Sequence, residues 1–233
     1  MKIQVQKSEE RGKADIGWLN SRFSFSFSNY YNPRRMGFGK LRVLNDDIIA
    51  PGTGFGAHSH DNMEIISIVL EGELEHKDNT GGGGVLKPGD IQVISAGSGV
   101  VHSEFNHSKK NKGKFLQIWI ETKEEDFEPR YDSATFNFQQ NELKEIVSGE
   151  KNKGTLYIHQ NAKLSLGKFD KNNQTKYSLS KGNGVFIFVI EGKLEVEGER
   201  LGKRDSIEIA EIGSVNIKTL DNSYFMIIEV PMN

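Results

Sequence analysis

The chain has 233 residues, enough for one large domain or two small ones built around a buried core. A net charge of −2, with basic residues only in short pairs such as Arg34-Arg35 and Lys109-Lys110, removes any electrostatic case for a nucleic-acid or membrane partner. The absence of cysteine excludes disulfides and thiolate metal sites, so any bound metal must rest on nitrogen and oxygen donors.

The first fifteen residues alternate and are charged, without the apolar core of a secretory signal. No apolar run approaches the ~18 residues of a spanning helix. A soluble, cytoplasmic protein is expected. Short runs rich in Ile, Val, Phe and Tyr, bounded by glycine or Asn/Asp turns, predict strands at 22–27, 40–45, 64–70, 91–95 and 115–121. Phe23, Phe25 and Phe27 alternate within the first and are read as barrel lining or inter-barrel core. Asp46-Asp47 reads as a turn rather than an acid/base dyad. Gly81–Gly84 can only be a hairpin tip, and His76 and His107, beside polar residues, are expected at the surface.

Residues 122–132 are charged and contain Pro129, as a linker would. After them, 139–148 (QQNELKEIVS) predicts a short linking helix, with Leu143, Ile146 and Val147 on one face and Gly149 as its stop. Further strands are predicted at 155–160, 184–191, 193–197 and 224–230. His159, the one histidine of this half, is read as a core or surface residue.

A faint repeat crosses the linker. Residues 65–75 read IISIVLEGELE and residues 186–195 read FIFVIEGKLE. Upstream of the first lies His58-Ser59-His60; upstream of the second lies Lys176-Tyr177-Ser178-Leu179, with no histidine. Two copies of one β-barrel account for this, the first spanning 1–130 with its polar equipment and the second, 131–233, degenerate.

His58 and His60 are separated by one residue, which on a strand puts both rings on one face, roughly 7 Å apart. His102 and Glu104 repeat that spacing on another segment. Two such pairs in one barrel can surround a point with three nitrogens and one carboxylate, a donor set suited to a divalent first-row metal. Glycines at 52, 54 and 56 precede the first pair, and Gly97 and Gly99 precede the second. Written out, Gly52-x5-His58-x-His60-x3-Glu64-x7-Gly72 and Gly89-x7-Gly97-x4-His102-x3-Asn106 resemble the two metal-binding motifs of the cupin superfamily. The second departs from the usual spacing between its glycine and histidine.

A narrower resemblance covers most of residues 11–132. Residues 17–47 (GWLNSRFSFSFSNYYNPRRMGFGKLRVLNDD), 54–78 (GFGAHSHDNMEIISIVLEGELEHKD), 95–108 (SAGSGVVHSEFNHS) and 115–121 (FLQIWIE) closely resemble the pirin family. The resemblance implies an all-β fold of two tandem cupin barrels, with one metal, usually iron, in the first. It implies His58, His60, His102 and Glu104 as the ligands. Glu64, the glutamate that ligates in many other cupins, is expected as a neighbouring proton acceptor or turned away, its parity broken by a bulge near Asp61-Asn62.

Two activities follow from the resemblance. The first is a quercetin 2,3-dioxygenase, opening the central ring of a flavonol with O2. Fe(II) is the expected metal, with Mn, Ni, Co, Cu or Zn as alternatives, and Glu104 or Glu64 the proton acceptor. The second is a non-enzymatic, redox-sensitive, iron-binding regulator that acts through partner proteins. A third reading, a cupin isomerase or metal-free sugar-binding barrel, is disfavoured by the intact ligand set. Because two fused barrels cover the face that single cupins bury by dimerising, a monomer is expected.

Overall fold

Runs of β-branched and aromatic residues, interrupted by left-handed glycines, favour many short strands over helices. In the computed structural model, which describes residues 1–151 and 154–233, these strands pair into four sheets. Each half of the chain builds one seven-stranded and one four-stranded sheet, with one exchange between halves. The N-terminal strand Lys2–Gln6 crosses over and pairs with Ser206–Ala210 at the edge of the second half's large sheet.

The internal repeat is visible as repeated topology. The large sheet of the first half runs Asp90–Ser95, Met63–Glu71, Gly113–Glu121, Leu41–Ile49 through its centre. The second half runs Ser206–Ala210, Asn183–Glu191, Ser223–Pro231, Lys163–Phe169 in the same order. The small sheets also correspond. Gly54–His60, Val100–Asn106, Leu74–Asp78 and Gly83–Leu86 match Gln174–Ser178, Ser214–Thr219, Leu194–Val196 and Glu199–Leu201. Gly72 and Gly192, at φ 84° and 89°, make the equivalent turns out of the two central strands. The expected pair of tandem cupin barrels is therefore present.

Alternation along the central strands divides the core. Ile66, Ile68, Ile118 and Ile120 face the other half and pack in one cluster with Phe186, Phe188, Met226 and Ile228. Phe25 joins that seam, its ring 5.7 Å from Phe186, as expected of an inter-barrel core residue, although the strand Leu19–Phe23 ends before it and the expected strand over 22–27 is not formed. Residues of opposite parity face the barrel interiors: Val185, Ile187 and Val189 in the second barrel, Ser67 in the first.

The structure corrects three expectations of local structure. Residues 139–148 do not form the predicted linking helix: Glu142–Ser148 is a strand, antiparallel to Lys163–Phe169. A bulge between Glu145 and Val147 inserts one residue, and the resulting 143–146–147 spacing imitates a helical stripe. Its residues in fact serve two cores, Leu143 that of the second barrel and Ile146 and Val147 the seam. The predicted linker yields the strand Arg130–Thr135, which extends the first half's large sheet beside Asp90–Ser95. Asp46-Asp47 is not a turn but lies within Leu41–Ile49; Asp46 pairs with Arg11 and Arg204, each at 3.3 Å, and Asp47 is buried against Ser21. Among the described residues no helix is long and apolar enough to cross a membrane.

Candidate metal centre

The strands Gly54–His60 and Val100–Asn106 run antiparallel, with His58 directly opposite His102. Between His102 and Glu104 the register shifts through a bulge, which carries the Glu104 backbone towards Gly54. A Cβ at residue 54 would collide with the Glu104 carbonyl oxygen, so glycine is required there. Gly54 and the bulge are thus two sides of one contact.

The rings of His58, His60 and His102 converge. Their centroids lie 4.8 Å (58 to 60), 4.4 Å (58 to 102) and 5.0 Å (60 to 102) apart, and one nitrogen from each lies within 4.8 Å of the others. His58 Nδ1 sits 2.8 Å from the Gly56 carbonyl and donates to it, which leaves Nε2 with its lone pair. His102 is buried, and its Nε2 has no hydrogen-bond partner. An orphaned buried nitrogen on a ring packed against two other imidazoles is what a metal site presents without its ion. Burial, reinforced by His58, pushes the His60 imidazole down to about 4. Burial together with His58, His60 and His76 pushes His102 down to about 3. Both rings are therefore neutral at physiological pH, the form that ligates.

Glu104 is buried beneath the histidines. Its Oε1 accepts from Ser67 Oγ at 2.9 Å and Gln92 Nε2 at 2.7 Å, and its Oε2 accepts from Gln117 Nε2 at 2.5 Å. Burial raises its carboxyl above the ordinary range, against the pull of His76, Ser67, His58 and Gln117. Its oxygens fall in a second triple, with His76 and His102, whose donor atoms also lie within 4.8 Å of one another. The four expected residues thus form two overlapping triples that share His102, and the second includes a residue not expected there.

That residue is His76. It was expected at the surface but is buried, stacked on Tyr131 at 4.6 Å and 3° between planes, and bonded to Asp78 at 2.9 Å. Neighbouring Glu75 and Lys77 face outward, which is why the local sequence reads as surface. The missed signal is parity: Leu74, His76 and Asp78 share one face, as His58 and His60 do. The three residues that hold Glu104 carried a similar signal, each being the one polar residue inside an apolar run: Ser67 in IISIVL, Gln92 in IQVI and Gln117 in FLQIWI.

Glu64 lies elsewhere. A turn at Asn62, with φ 45°, sends the chain from the small sheet into the large one, and Glu64 then points into the seam with Ile66 and Ile68. Its carboxylate accepts from Ser95 Oγ at 2.7 Å and from the His159 backbone at 2.9 Å. Among the described residues no hydrogen bond links it to the three histidines. His159, read as unlikely to ligate, serves this carboxylate instead, and His107 is exposed beside Glu75.

Aromatic side chains wall the site. Trp119 meets His60 edge-on at 4.8 Å, and Phe55 lies between Trp18, at 5.2 Å, and His58, at 6.4 Å.

With the geometry in place, comparison with known proteins gives a consistent result. Residues 4–120 match the family described as Pirin, and residues 145–230 match the quercetinase C-terminal cupin domain. The chain is 36% identical over 229 residues to the quercetin 2,3-dioxygenase of Escherichia coli K12, covering 98% of this chain and 99% of that one. It is also 36% identical to a pirin-like protein of Caulobacter vibrioides over 230 residues, covering 97% and 99%. Among solved structures, YhhW from Escherichia coli superposes with a TM-score of 0.96 at 36% identity, covering 99% of this chain and 98% of that one. The nickel(II) complex of the same bacterial pirin gives 0.94, covering 99% of each.

Proposed function

The chain belongs to the pirin family, and from that membership and the geometry of its site we propose that it is a metal-dependent dioxygenase that opens the central ring of a flavonol such as quercetin with O2. The observation that carries this reading is the convergence of three imidazoles, one of which has a buried, unpaired nitrogen, within aromatic walls. His58, His60, His102 and Glu104 would hold one divalent ion. Three neutral nitrogens and a carboxylate suit Fe(II), and accept Mn, Ni, Co, Cu or Zn. The nickel complex of a relative supports a divalent ion without choosing among these. Bound there, such an ion supplies Lewis acidity to a coordinated hydroxyl and, where redox-active, a path for electrons towards O2.

The remaining work falls to side chains. Glu104, the carboxylate that lies beside His102, would accept the proton of the flavonol 3-hydroxyl. Ser67, Gln92 and Gln117 keep its two oxygens oriented for that transfer. Trp119, Phe55 and Trp18 offer flat apolar faces to an aromatic substrate and keep bulk water from the reacting ring.

The test is direct. Protein loaded separately with Fe(II), Mn(II), Ni(II), Co(II) or Cu(II) and incubated aerobically with quercetin should bleach the flavonol absorbance and release carbon monoxide. Absence of turnover with every metal would overturn the proposal.

A further inference from the structure

Resting on the metal-site reading above, we propose that Asp78 and His76 are positioning residues that fix the ring tautomer of His102 and so keep its Nε2 free to ligate. The order of donors and acceptors carries the argument. Asp78 Oδ1 accepts from Thr80 N at 2.8 Å, Thr80 Oγ1 at 2.7 Å and Gly82 N at 2.9 Å. Its Oδ2 lies 2.9 Å from His76 Nε2. A carboxylate held this way only accepts, so the proton on Nε2 belongs to His76. A neutral imidazole that donates through Nε2 presents a lone pair at Nδ1. His76 Nδ1 lies 3.5 Å from His102 Nδ1, so the proton between them belongs to His102. His102 protonated at Nδ1 is bare at Nε2, the buried nitrogen without a partner.

The surroundings hold this chain of three side chains in place. The side chains of His76 and Asp78 are fully buried, and the His76 ring lies flat on Tyr131. A Cβ at Gly82 would strike both the Asp78 carboxylate and Tyr131, so the hairpin glycine is what allows the loop to close over Asp78.

The second barrel shows that folding does not demand this pair. There the position of His76, opposite Glu104, is held by Val196, opposite Ile217, and the residue two further along the chain, Asp78 in the first barrel, is Gly198 in the second. A buried imidazole and carboxylate in the first barrel alone, directly behind a candidate ligand, point to a role at the site. Groups that orient ligating histidines typically change metal affinity by roughly 10–100-fold when replaced.

The discriminating variant is Asp78→Asn, which is nearly isosteric. Its carbonyl oxygen stays with the three donors of Thr80 and Gly82, turning the NH2 group towards His76. His76 Nε2 must then accept, its proton moves to Nδ1, and His102 is driven to the Nε2-protonated form, which has no lone pair there. Imidazole 15N shifts of the metal-free protein should report His102 protonated at Nδ1 in the wild type and at Nε2 in the variant. Ni(II) affinity, measured by chelator competition, should fall roughly 10–100-fold while the metal-free melting temperature is unchanged. Wild-type His102 protonated at Nε2, or unaltered Ni(II) affinity in the folded variant, would overturn the proposal. Should the variant not fold, the wild-type 15N spectrum alone decides. A wild type that binds no Ni(II) would refute the metal site itself, whereas the 15N pattern still tests the relay.

Discussion

Ser67 and Ile187 hold the same position in their respective sheets. Ser67 sits between Gln92 and Gln117 on the neighbouring strands, and Ile187 between Ile207 and Ile227. The correspondence continues in the small sheets. His102 opposite His58, and Glu104 opposite His76, are matched by Val215 opposite Tyr177 and Ile217 opposite Val196. One barrel interior is a polar cradle and the other, at the same register, an apolar plug. Burying each isoleucine stabilises the second barrel by about 1.5–3 kcal/mol, a contribution the first barrel forgoes at these positions.

The cradle should matter to metal binding more than to folding. Gln117→Leu removes the donor to Glu104 Oε2 and an amide oxygen that lies 2.8 Å from the Ser67 hydroxyl, an alternative acceptor to Glu104 Oε1. Losing a hydrogen bond to a buried carboxylate costs about 1.5–3 kcal/mol, so the variant should remain folded. Its metal affinity should drop roughly tenfold or more, because Glu104 is no longer held in one orientation. Chelator competition and urea unfolding on the same sample separate the two effects; a variant that loses stability but not affinity would show that the cradle is only structural.

Direct removal of ligands is the sharper test of the site. His58 is only half-buried, so His58→Ala should fold normally yet lose most bound metal as measured by elemental analysis. Glu104→Ala should also lose metal, and in addition strands the buried amides of Gln92 and Gln117, so its melting temperature should fall further than that of His58→Ala. Wild-type metal stoichiometry in both variants would refute the ligand assignment.

These contrasts mark what could be read in the sequence. The pairs His58/His60 and His102/Glu104 were legible because a spacing of two on a strand fixes a common face, and the repeat was legible because Glu-Gly turns recur after similar β-rich runs. His76 was not, since its outward neighbours Glu75 and Lys77 dominate the local polarity and only register shows where the ring lies. The strand Glu142–Ser148 was misread because a one-residue bulge converts a period of two into a spacing of three. Glu64 keeps the parity of the histidines in sequence, but the left-handed turn at Asn62 moves it to another sheet. For the last two the deciding event is a backbone irregularity that composition does not encode; for His76 it is the pairing register.

The seam between the barrels should behave as one core. Phe186 is fully buried and touches Phe25 from the other half of the chain. Phe186→Ala should destabilise the protein by about 3–5 kcal/mol. Because the cluster includes residues from both halves, unfolding should remain a single transition when followed by tryptophan fluorescence, which reports on the first half, and by far-UV circular dichroism, which reports on both. Two separated transitions in the wild type would show that the barrels are energetically independent.

Glu64 gives the seam a pH dependence of predictable sign. Burial, opposed by hydrogen bonds from Ser95 and the His159 backbone and by Arg130, pushes its carboxyl up to about 7 from an ordinary value of 4.5. The folded protein therefore holds this proton more tightly than the unfolded chain does. Below pH 4.5 both states are protonated and no penalty arises; as pH rises from 4.5 to 7 the unfolded state releases its proton first and stability falls; above 7 the loss is complete. Glu64→Gln removes the ionisation while keeping an oxygen for the His159 N–H. The stability difference between variant and wild type should therefore grow in the variant's favour by about 3 kcal/mol from pH 4 to pH 8. Asp47, also pushed up to about 7 by burial, adds a similar slope to both proteins, so taking the difference cancels it. Urea unfolding across that range would measure it, and a difference that stays constant with pH would show that Glu64 is not a shifted carboxyl.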